Sequence, residues 1–381
     1  MLTDDPLAVE DRQPRGDKNV GYRCERRANV AVSAGLGGKG MHTIRISSLL
    51  LAPVFLTGMA AAASAAEPIR IGIIGLDTSH AAAFTRLFNQ TEAADHVPGC
   101  RVVAAYPQGS RDIESSVSRV PRYTKQLAET GVEIVDSIPS LLERVDAVLL
   151  ESNDGRVHLE QAVPVFAAGK RVFIDKPLAA SLAEAIAIFD LAEHYETPMF
   201  SASSLRFAAA TQDVRNGSVG KVLGASTYSP CTLEPTHLDL AWYGIHGCEA
   251  LVTIMGNGCE QVSRAHSDGC DLVTGVWAGG RIGTFRGIRA GKAGYGGTAF
   301  GEKGIVAAGG YDGYRPLVVA IAEFLSGGPP PVTRDETIEL FAFMEAADES
   351  RRRSGAPVAI AEVMQSAEAA AKEMFAAAVQ R

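Results

Sequence analysis

The stretch Ile69-Arg-Ile-Gly-Ile-Ile-Gly75-Leu-Asp77-Thr-Ser-His80 decides the fold. Its first six residues are mostly apolar, which is typical of a strand buried on both faces. A glycine follows at position 75, and the next residues begin an amphipathic segment at 79–89. A buried strand, a tight turn and a helix form the first unit of a doubly wound parallel sheet.

The same alternation continues downstream. Short apolar runs are separated by amphipathic stretches, which indicates parallel strands joined by crossover helices. The predicted strands are 69–74, 101–106, 146–151, 171–174 and 198–201, and the predicted helices are 79–89, 157–168 and 181–195. This pattern predicts a Rossmann-like nucleotide-binding domain over residues 67–203.

A different pattern begins after residue 203. Segments rich in Gly and Thr at 224–228, 271–277 and 281–286 predict strands, and 246–255 predicts a helix between them. Further helices are predicted at 316–325, 335–350 and 362–379. Residues 204–381 are therefore expected to form an α+β domain with a mostly antiparallel open sheet. The fold class is α/β overall.

The first 66 residues are not expected to be part of the folded domains. Residues 1–40 have no helical or strand period and are expected to be disordered or a mis-assigned upstream extension. Residues 41–66 contain one arginine, an apolar run at 49–59 and the small-residue site Ala63-Ser64-Ala65. This is the pattern of a secretory signal peptide. It predicts export to the periplasm, a mature chain that begins near Ala66 or Glu67, and no membrane anchor after cleavage.

Composition excludes some partners. The chain has 36 Lys and Arg against 44 Asp and Glu, a formal net charge of −8, so nucleic acid is not an expected ligand. Six cysteines include no CxxC pair and no zinc-ligand spacing, so no metal site is predicted. Removal of the signal peptide would leave five cysteines, an odd number, and the spacing does not choose a disulfide pairing.

Three motifs carry a family resemblance. They are His158-Leu-Glu160 followed by Ala168-Gly-Lys-Arg-Val-Phe-Ile-Asp175-Lys176-Pro177, then Gly244-Ile-His246-Gly-Cys-Glu249, and finally Phe341-Ala-Phe-Met-Glu-Ala-Ala-Asp-Glu-Ser350. In this order they resemble the Gfo/Idh/MocA family, which contains glucose–fructose oxidoreductase and inositol dehydrogenase. The resemblance implies an NAD(P)-dependent oxidoreductase, hydride transfer to or from a small-molecule sugar or polyol, and a homo-oligomer.

The resemblance also implies catalytic residues. Lys176 and His246 match the family's proton-transfer groups, and Tyr243 and Glu249 are expected to support them. Tyr243-Gly-Ile-His246-Gly is also similar to a motif of the family's NAD-dependent glycosidase branch. Trp242 and Tyr243 could provide a platform for a sugar ring, or they could be ordinary packing residues.

The cofactor loop departs from the family pattern. Gly75 is retained, but Asp77 occupies the position of the second glycine, where a carboxylate would repel a pyrophosphate. Asp77, Thr78 or Ser79 could instead be the cap of the first helix. The residues expected to contact NAD or NADP are Gly75, Asp77, Thr78, Ser79, His80, Asn153, His158, Asp175 and Lys176. Two alternatives stay open, a redox-neutral glycoside-cleaving enzyme and a non-catalytic carbohydrate-binding protein.

Overall fold

The first strand and helix have the predicted bounds. In a computed structural model that describes residues 67–380, strand β1 spans Ile69–Ile74 and helix α1 spans Ser79–Asn89. The predicted extension at 1–40 and signal peptide at 41–66 lie outside the described residues. Between residues 67 and 380, no helix has the length and apolar character needed to cross a bilayer.

Six parallel strands form the first sheet, in the order β3-β2-β1-β4-β5-β6. Because the strand order reverses between β1 and β4, the carboxyl ends of these strands border the crevice in which open α/β sheets bind ligands. The remaining elements of this region are β2 (Cys100–Tyr106), α2 (Glu114–Glu129), β3 (Glu133–Ile134), α3 (Ile138–Leu142), β4 (Ala147–Leu150), α4 (His158–Ala167), β5 (Val172–Ile174), α5 (Leu182–His194) and β6 (Met199–Phe200).

Three of these elements, α2, β3 and α3, were not predicted. Helix α2 has no side-chain N-cap bond and contains Pro121, so its sequence lacks an ordinary start signal. Strand β3 is only two residues long. Such short or weakly marked elements are held by the sheet and its neighbours rather than by local propensity.

The second sheet is mixed and mostly antiparallel, as predicted. It has seven strands in the order β12-β11-β7-β10-β9-β8-β13, and only the β7 and β10 pair among them is parallel. Its elements are α6 (Ala209–Arg215), β7 (Val222–Pro230), α7 (Ile245–Met255), β8 (Cys259–Ser267), β9 (Cys270–Trp277), β10 (Arg281–Ile288), β11 (Gly296–Gly301), β12 (Gly304–Ala308), α8 (Arg315–Leu325), α9 (Arg334–Arg352), β13 (Val358–Ala359) and α10 (Ile360–Val379).

The two faces of this second sheet differ in burial. Trp277 and Phe285 are fully buried on the face that packs against α7 and α9. On the opposite face, Ile282, Phe300 and Ile305 are exposed. An exposed apolar face is compatible with the homo-oligomer that the family resemblance implies, which stays a prediction. The five cysteines between residues 67 and 380 are free thiols.

Candidate functional site

Buried polar side chains lie where three parallel strands of the first sheet end. His80 lies in the first turn of α1, Glu151 directly follows β4, and Asp175 and Lys176 directly follow β5. All four are buried. Since β1, β4 and β5 are parallel and follow one another in the sheet, their carboxyl ends bring these groups to one edge of the sheet.

His80 and Asp175 form the closest pair in this group. Nδ1 of His80 lies 2.7 Å from Oδ2 of Asp175. Burial alone would raise the pKa of Asp175, but attraction to His80 and Lys176 keeps that pKa below its ordinary value. The His80 ring stacks on Phe84 at 5.2 Å between centroids, which fixes the imidazole against α1. Asp175 is therefore an ionised carboxylate held by a histidine.

Glu151 has no such partner. Both of its carboxylate oxygens are buried without a hydrogen bond to any residue in the described part of the chain. Burial, and then repulsion from Asp175, raises the pKa of Glu151 well above its ordinary value. Sequence reasoning placed Glu151 at the end of a predicted strand and assigned it no role. A charged residue that directly follows the buried run Ala147–Leu150 was the available signal.

His246 reaches the same site from the second domain. It lies in the first turn of α7, and its Nδ1 is 2.7 Å from Oγ of Ser203. Its other nitrogen, Nε2, is buried without a hydrogen-bond partner among residues 67–380. Burial, and then the positive charges of Lys176 and His80, holds the pKa of His246 well below its ordinary value. His246 is therefore a neutral imidazole at neutral pH.

Tyr243 contacts both Lys176 and His246. Nζ of Lys176 is 5.6 Å from the centroid of the Tyr243 ring, and the His246 ring is 6.1 Å from the same ring. The distance between Lys176 and the Tyr243 ring is within the range of a cation–π interaction. The structure thus brings together three of the residues expected to act in catalysis, Lys176, His246 and Tyr243.

Glu249 is held differently. Its Oε1 accepts a hydrogen bond from Nε of Arg206 at 2.7 Å, and its Oε2 accepts one from the backbone N–H of Ser203 at 2.7 Å. Since both oxygens are bonded to the 203–206 segment, Glu249 fixes the position of Ser203, which in turn contacts His246. Its support of catalysis stays a prediction, and these contacts show the route by which it would act.

Three further tyrosines complete a wall around the site. Ring contacts run from His80 to Tyr314 at 4.7 Å, from Tyr314 to Tyr311 at 5.7 Å, from Tyr311 to Tyr295 at 6.0 Å, and from Tyr295 to His246 at 5.9 Å. We call Tyr243, Tyr295, Tyr311 and Tyr314 the tyrosine wall. Sequence reasoning missed the last three of them, because they lie in loops far along the chain from the motifs.

Trp242 packs beside this site. It is buried, and its ring lies 5.0 Å from the ring of His237. Nε2 of His237 accepts a hydrogen bond from the backbone N–H of Gly155. Burial lowers the pKa of His237 to about 4. Trp242 is therefore mainly a packing residue in this structure, whereas half-buried Tyr243 faces Lys176.

The loop after β1 keeps one family feature. Gly75 has a φ of +93°, and a Cβ there would lie 2.3 Å from the backbone nitrogen of Ser152. Only glycine fits that turn. Thr78 is the N-cap of α1, since its side chain accepts from the N–H of His80, and Ser79 is the first helical residue. Of the three residues considered as caps, Thr78 fills that role.

Asp77 is neither the cap nor exposed. Its Oδ2 accepts from Oγ of Ser116 at 2.6 Å, and its Oδ1 accepts from the backbone N–H of Asn153 at 2.9 Å. Burial raises the pKa of Asp77 to about 6. The carboxylate thus ties the β1 loop to α2 and to the loop after β4.

Two other residues expected to contact the cofactor are also engaged in the protein. The ring nitrogens of His158 lie 3.0 Å from the carbonyl oxygen of Leu178 and 2.7 Å from that of Ser152. Asn153 donates its backbone N–H to Asp77. The His158 contacts join the loops that follow β4 and β5, and the Asn153 contact joins the loops that follow β1 and β4, so both residues hold the loops of the site together.

A nicotinamide dinucleotide fits one end of this site better than the other. At the end that Lys176 and His246 line, the Lys176 side chain can offer a cation and the unbonded Nε2 of His246 a proton-transfer group. At the other end, the N–H groups of Gly75 and Leu76 donate to the carbonyl oxygens of Tyr106 and Gln108, and Asp77 replaces a glycine. The strand-end residues suit the cofactor, and the pyrophosphate loop departs from the family pattern.

Comparisons with known proteins agree with this architecture. Residues 69–202 match the sequence model of a family described as an oxidoreductase family with an NAD-binding Rossmann fold, GFO_IDH_MocA. No curated protein matches the chain significantly.

Solved structures resemble the chain at low identity. A scyllo-inositol dehydrogenase from Lactobacillus casei, solved with NAD(H) and scyllo-inositol, is 15% identical with a TM-score of 0.61, over 77% of this chain and 100% of that one. A myo-inositol 2-dehydrogenase from Lactobacillus plantarum is 17% identical with a TM-score of 0.62, over 77% of this chain and 99% of that one. At such identity the likeness establishes the fold. The family model thus matches the part of the chain that holds β1 to β6, and the solved structures share the fold over 77% of the chain.

Proposed function

We propose that this protein is an NAD(P)-dependent oxidoreductase that acts on a hydroxyl-bearing carbon of a sugar or polyol. The observation that carries the proposal is that Lys176 and His246 both contact Tyr243, at the carboxyl edge of the first sheet. When bound, the nicotinamide supplies the acceptor or donor of hydride. The chain's own residues must then orient the substrate and move one proton.

His246 is suited to the proton transfer. As a neutral imidazole it has one basic nitrogen. Its Nε2 has no hydrogen-bond partner among the described residues. Ser203 Oγ accepts from the N–H of Leu205 at 3.2 Å, so it retains a lone pair and a hydrogen for Nδ1. The serine can therefore meet His246 in either tautomer, as a residue that takes up and returns a proton requires.

Lys176 is suited to stabilise charge on the substrate oxygen. Its buried ammonium lies over the Tyr243 ring, where water competes weakly and an alkoxide would be stabilised more strongly than in bulk solvent. The tyrosine wall offers flat apolar faces and hydroxyl groups, the combination that suits the C–H and O–H surfaces of a sugar or cyclic polyol.

Two measurements test the redox proposal. The purified protein is denatured, and the released small molecules are searched by mass spectrometry for NAD or NADP. The native protein is then mixed with each cofactor and a panel of aldoses, ketoses and inositols, and absorbance at the reduced-nicotinamide band is followed. Absence of both cofactor binding and substrate-dependent reduction contradicts the proposal.

A redox-neutral glycoside-cleaving enzyme is the second candidate. The contact of Tyr243 with both Lys176 and His246 favours it. A base can remove a proton beside a transiently oxidised carbon, and a neighbouring cation and phenol can stabilise the charge that forms. Release of an aglycone from a chromogenic glycoside, with NAD required but not consumed, separates this activity from net dehydrogenation.

We also propose that the protein acts after export. The support is the signal-peptide pattern at residues 41–66. Intact-mass analysis of protein from an exporting host is expected to show a chain that begins near Ala66 or Glu67. A product that retains Met41 would contradict export. An exported enzyme needs a tightly held cofactor, so the released-cofactor measurement bears on this point as well.

A further inference from the structure

Three side chains of the types that can bind metal ions lie together at the edge of the first sheet. His80, Glu151 and Asp175 are all buried, and one ligand atom from each lies within 4.8 Å of the other two. Adjacent ligands of a divalent transition metal with bonds of about 2.1 Å are separated by roughly 3.0–3.4 Å. The ligand atoms lie up to 4.8 Å apart, so the three groups would have to move closer together around an ion.

The carboxylate oxygens of this cluster favour a bound group that the polypeptide itself does not supply. Both oxygens of Glu151 and Oδ1 of Asp175 are buried and have no hydrogen-bond partner within residues 67–380. A buried carboxylate without a partner is strongly disfavoured, so native proteins supply a hydrogen bond, a proton or a cation. Lys176 attracts Glu151 across the site, but no hydrogen bond joins the two groups.

We propose that His80, Glu151 and Asp175 bind a divalent transition-metal cation such as Zn²⁺ or Mn²⁺. One imidazole nitrogen and two carboxylates form a ligand set that such ions accept, and two carboxylate charges balance the charge of the ion. Three protein ligands leave a coordination position for a substrate hydroxyl, whose pKa the ion would lower. The sequence-based prediction of no metal site considered only the spacing of cysteines, and it did not consider these histidine and carboxylate side chains.

The neighbouring side chains support this assignment. The contact between His80 and Asp175 already orders two of the three ligands. The stacking of His80 on Phe84 and its edge contact with Tyr314 hold the imidazole plane. Ligands held in place in this way lose little freedom when an ion binds. The inference does not rest on the proposed function, because metal binding is measured without substrate or nicotinamide.

The test uses the purified full chain after treatment with a chelator. ZnCl₂ and MnCl₂ are titrated separately into wild type, Glu151→Gln and Asp154→Asn by calorimetry. Asp154 is the matched control, because it is a buried carboxylate of the same loop that is already bonded to Arg156 and Ser110. We expect one equivalent to bind to wild type and to Asp154→Asn, and binding to Glu151→Gln to be at least about 100-fold weaker.

Thermal melting gives an independent readout. Without metal, Glu151→Gln should melt at or above the wild-type temperature, because it removes an unpartnered buried carboxylate. With metal, wild type should be stabilised and Glu151→Gln should not. If that variant does not fold, His80→Ala takes its place. Failure of both ions to bind wild type below about 1 mM overturns the proposal, as does binding that Glu151→Gln and His80→Ala leave intact. The first result would mean that Glu151 is buried as the protonated acid.

Discussion

The hydroxyl of Ser203 lies 2.7 Å from Nδ1 of His246, although the two residues belong to different parts of the chain. Ser203 lies just after β6, the last strand of the first sheet. His246 lies in the first turn of α7, the helix that packs against the second sheet. The contact makes the orientation of the His246 ring depend on the 203–206 segment. Glu249 and Arg206 hold that segment in turn.

Ser203→Ala should impair catalysis without unfolding the protein. Loss of the Oγ contact leaves Nδ1 unbonded, and we expect turnover to fall about 10-fold with a changed pH profile, because the imidazole loses its oriented partner. Ser204→Ala is the matched control, since its buried hydroxyl has no hydrogen-bond partner among the described residues. Equal activity and equal pH profiles in the two variants would remove Ser203 from the mechanism.

Lys176→Met and His246→Asn should each abolish turnover. A proton-transfer or charge-stabilising group contributes roughly 10²–10⁴-fold to rate. Methionine keeps the side-chain volume of lysine, and asparagine is a smaller polar side chain that fits the space of histidine. Lys170→Met is the control, because Lys170 donates to the carbonyl oxygen of Val145 away from the site. Rates and melting curves are compared for all three. A variant that folds and retains activity loses its assigned role.

Two substitutions of Asp77 separate the effect of its charge on cofactor binding from the effect of its hydrogen bonds on stability. Asp77→Asn keeps an acceptor for the N–H of Asn153 and removes the charge, so NAD or NADP binding should tighten by about 1 kcal/mol, roughly 5-fold. Asp77→Gly also removes the bonds to Ser116 and Asn153 and should lower the free energy of unfolding by about 1–3 kcal/mol. Calorimetric titration and denaturant unfolding measure the two effects. Weaker cofactor binding in Asp77→Asn would show that the carboxylate contacts the cofactor favourably.

Glu336 should make stability depend on pH in the acid range. Burial alone would raise its pKa, but Arg215 and Arg206 hold the pKa of Glu336 at about 2. Because this folded-state pKa lies below the unfolded value, the stabilisation is present above about pH 4.5 and is lost as pH falls toward 2. Glu336→Gln keeps the capping geometry at Thr333 and should reduce stability by about 1–2 kcal/mol at pH 7.

The matched control for that variant is Asp335→Asn, an exposed neighbour in the same helical turn. Denaturant unfolding is measured at pH 7, 5 and 4 for wild type and both variants. The difference between wild type and Glu336→Gln should shrink as pH falls through 4.5. A difference that does not change with pH would mean that the ion pairs contribute nothing to it.

Local signals in the sequence were sufficient for part of this molecule. The bounds of β1 and the start of α1 follow from an apolar run and the Gly75 turn, whereas the sequence left the cap open among Asp77, Thr78 and Ser79. Lys176 and His246 were found through motifs. The role of Glu151 could not be found in this way, because its lack of a partner depends on which side chains surround it in the folded chain.

The tyrosine wall shows the same limit. Tyr295, Tyr311 and Tyr314 lie in segments without a regular period, and only the packing of the second domain against the first brings them to His80 and His246. In contrast, the unpredicted helix α2 is a case of weak local propensity that tertiary contacts override.

The packing of Trp242 on His237 provides an optical reporter. The chain contains two tryptophans, and Trp277 lies fully buried in the second sheet. In a Trp277→Phe protein all indole emission would come from Trp242, next to Tyr243 of the wall. Protonated imidazole quenches indole fluorescence, so the emission should fall as pH approaches 4, where His237 titrates. The same indole could transfer energy to a bound reduced nicotinamide, which makes cofactor occupancy visible in a single spectrum.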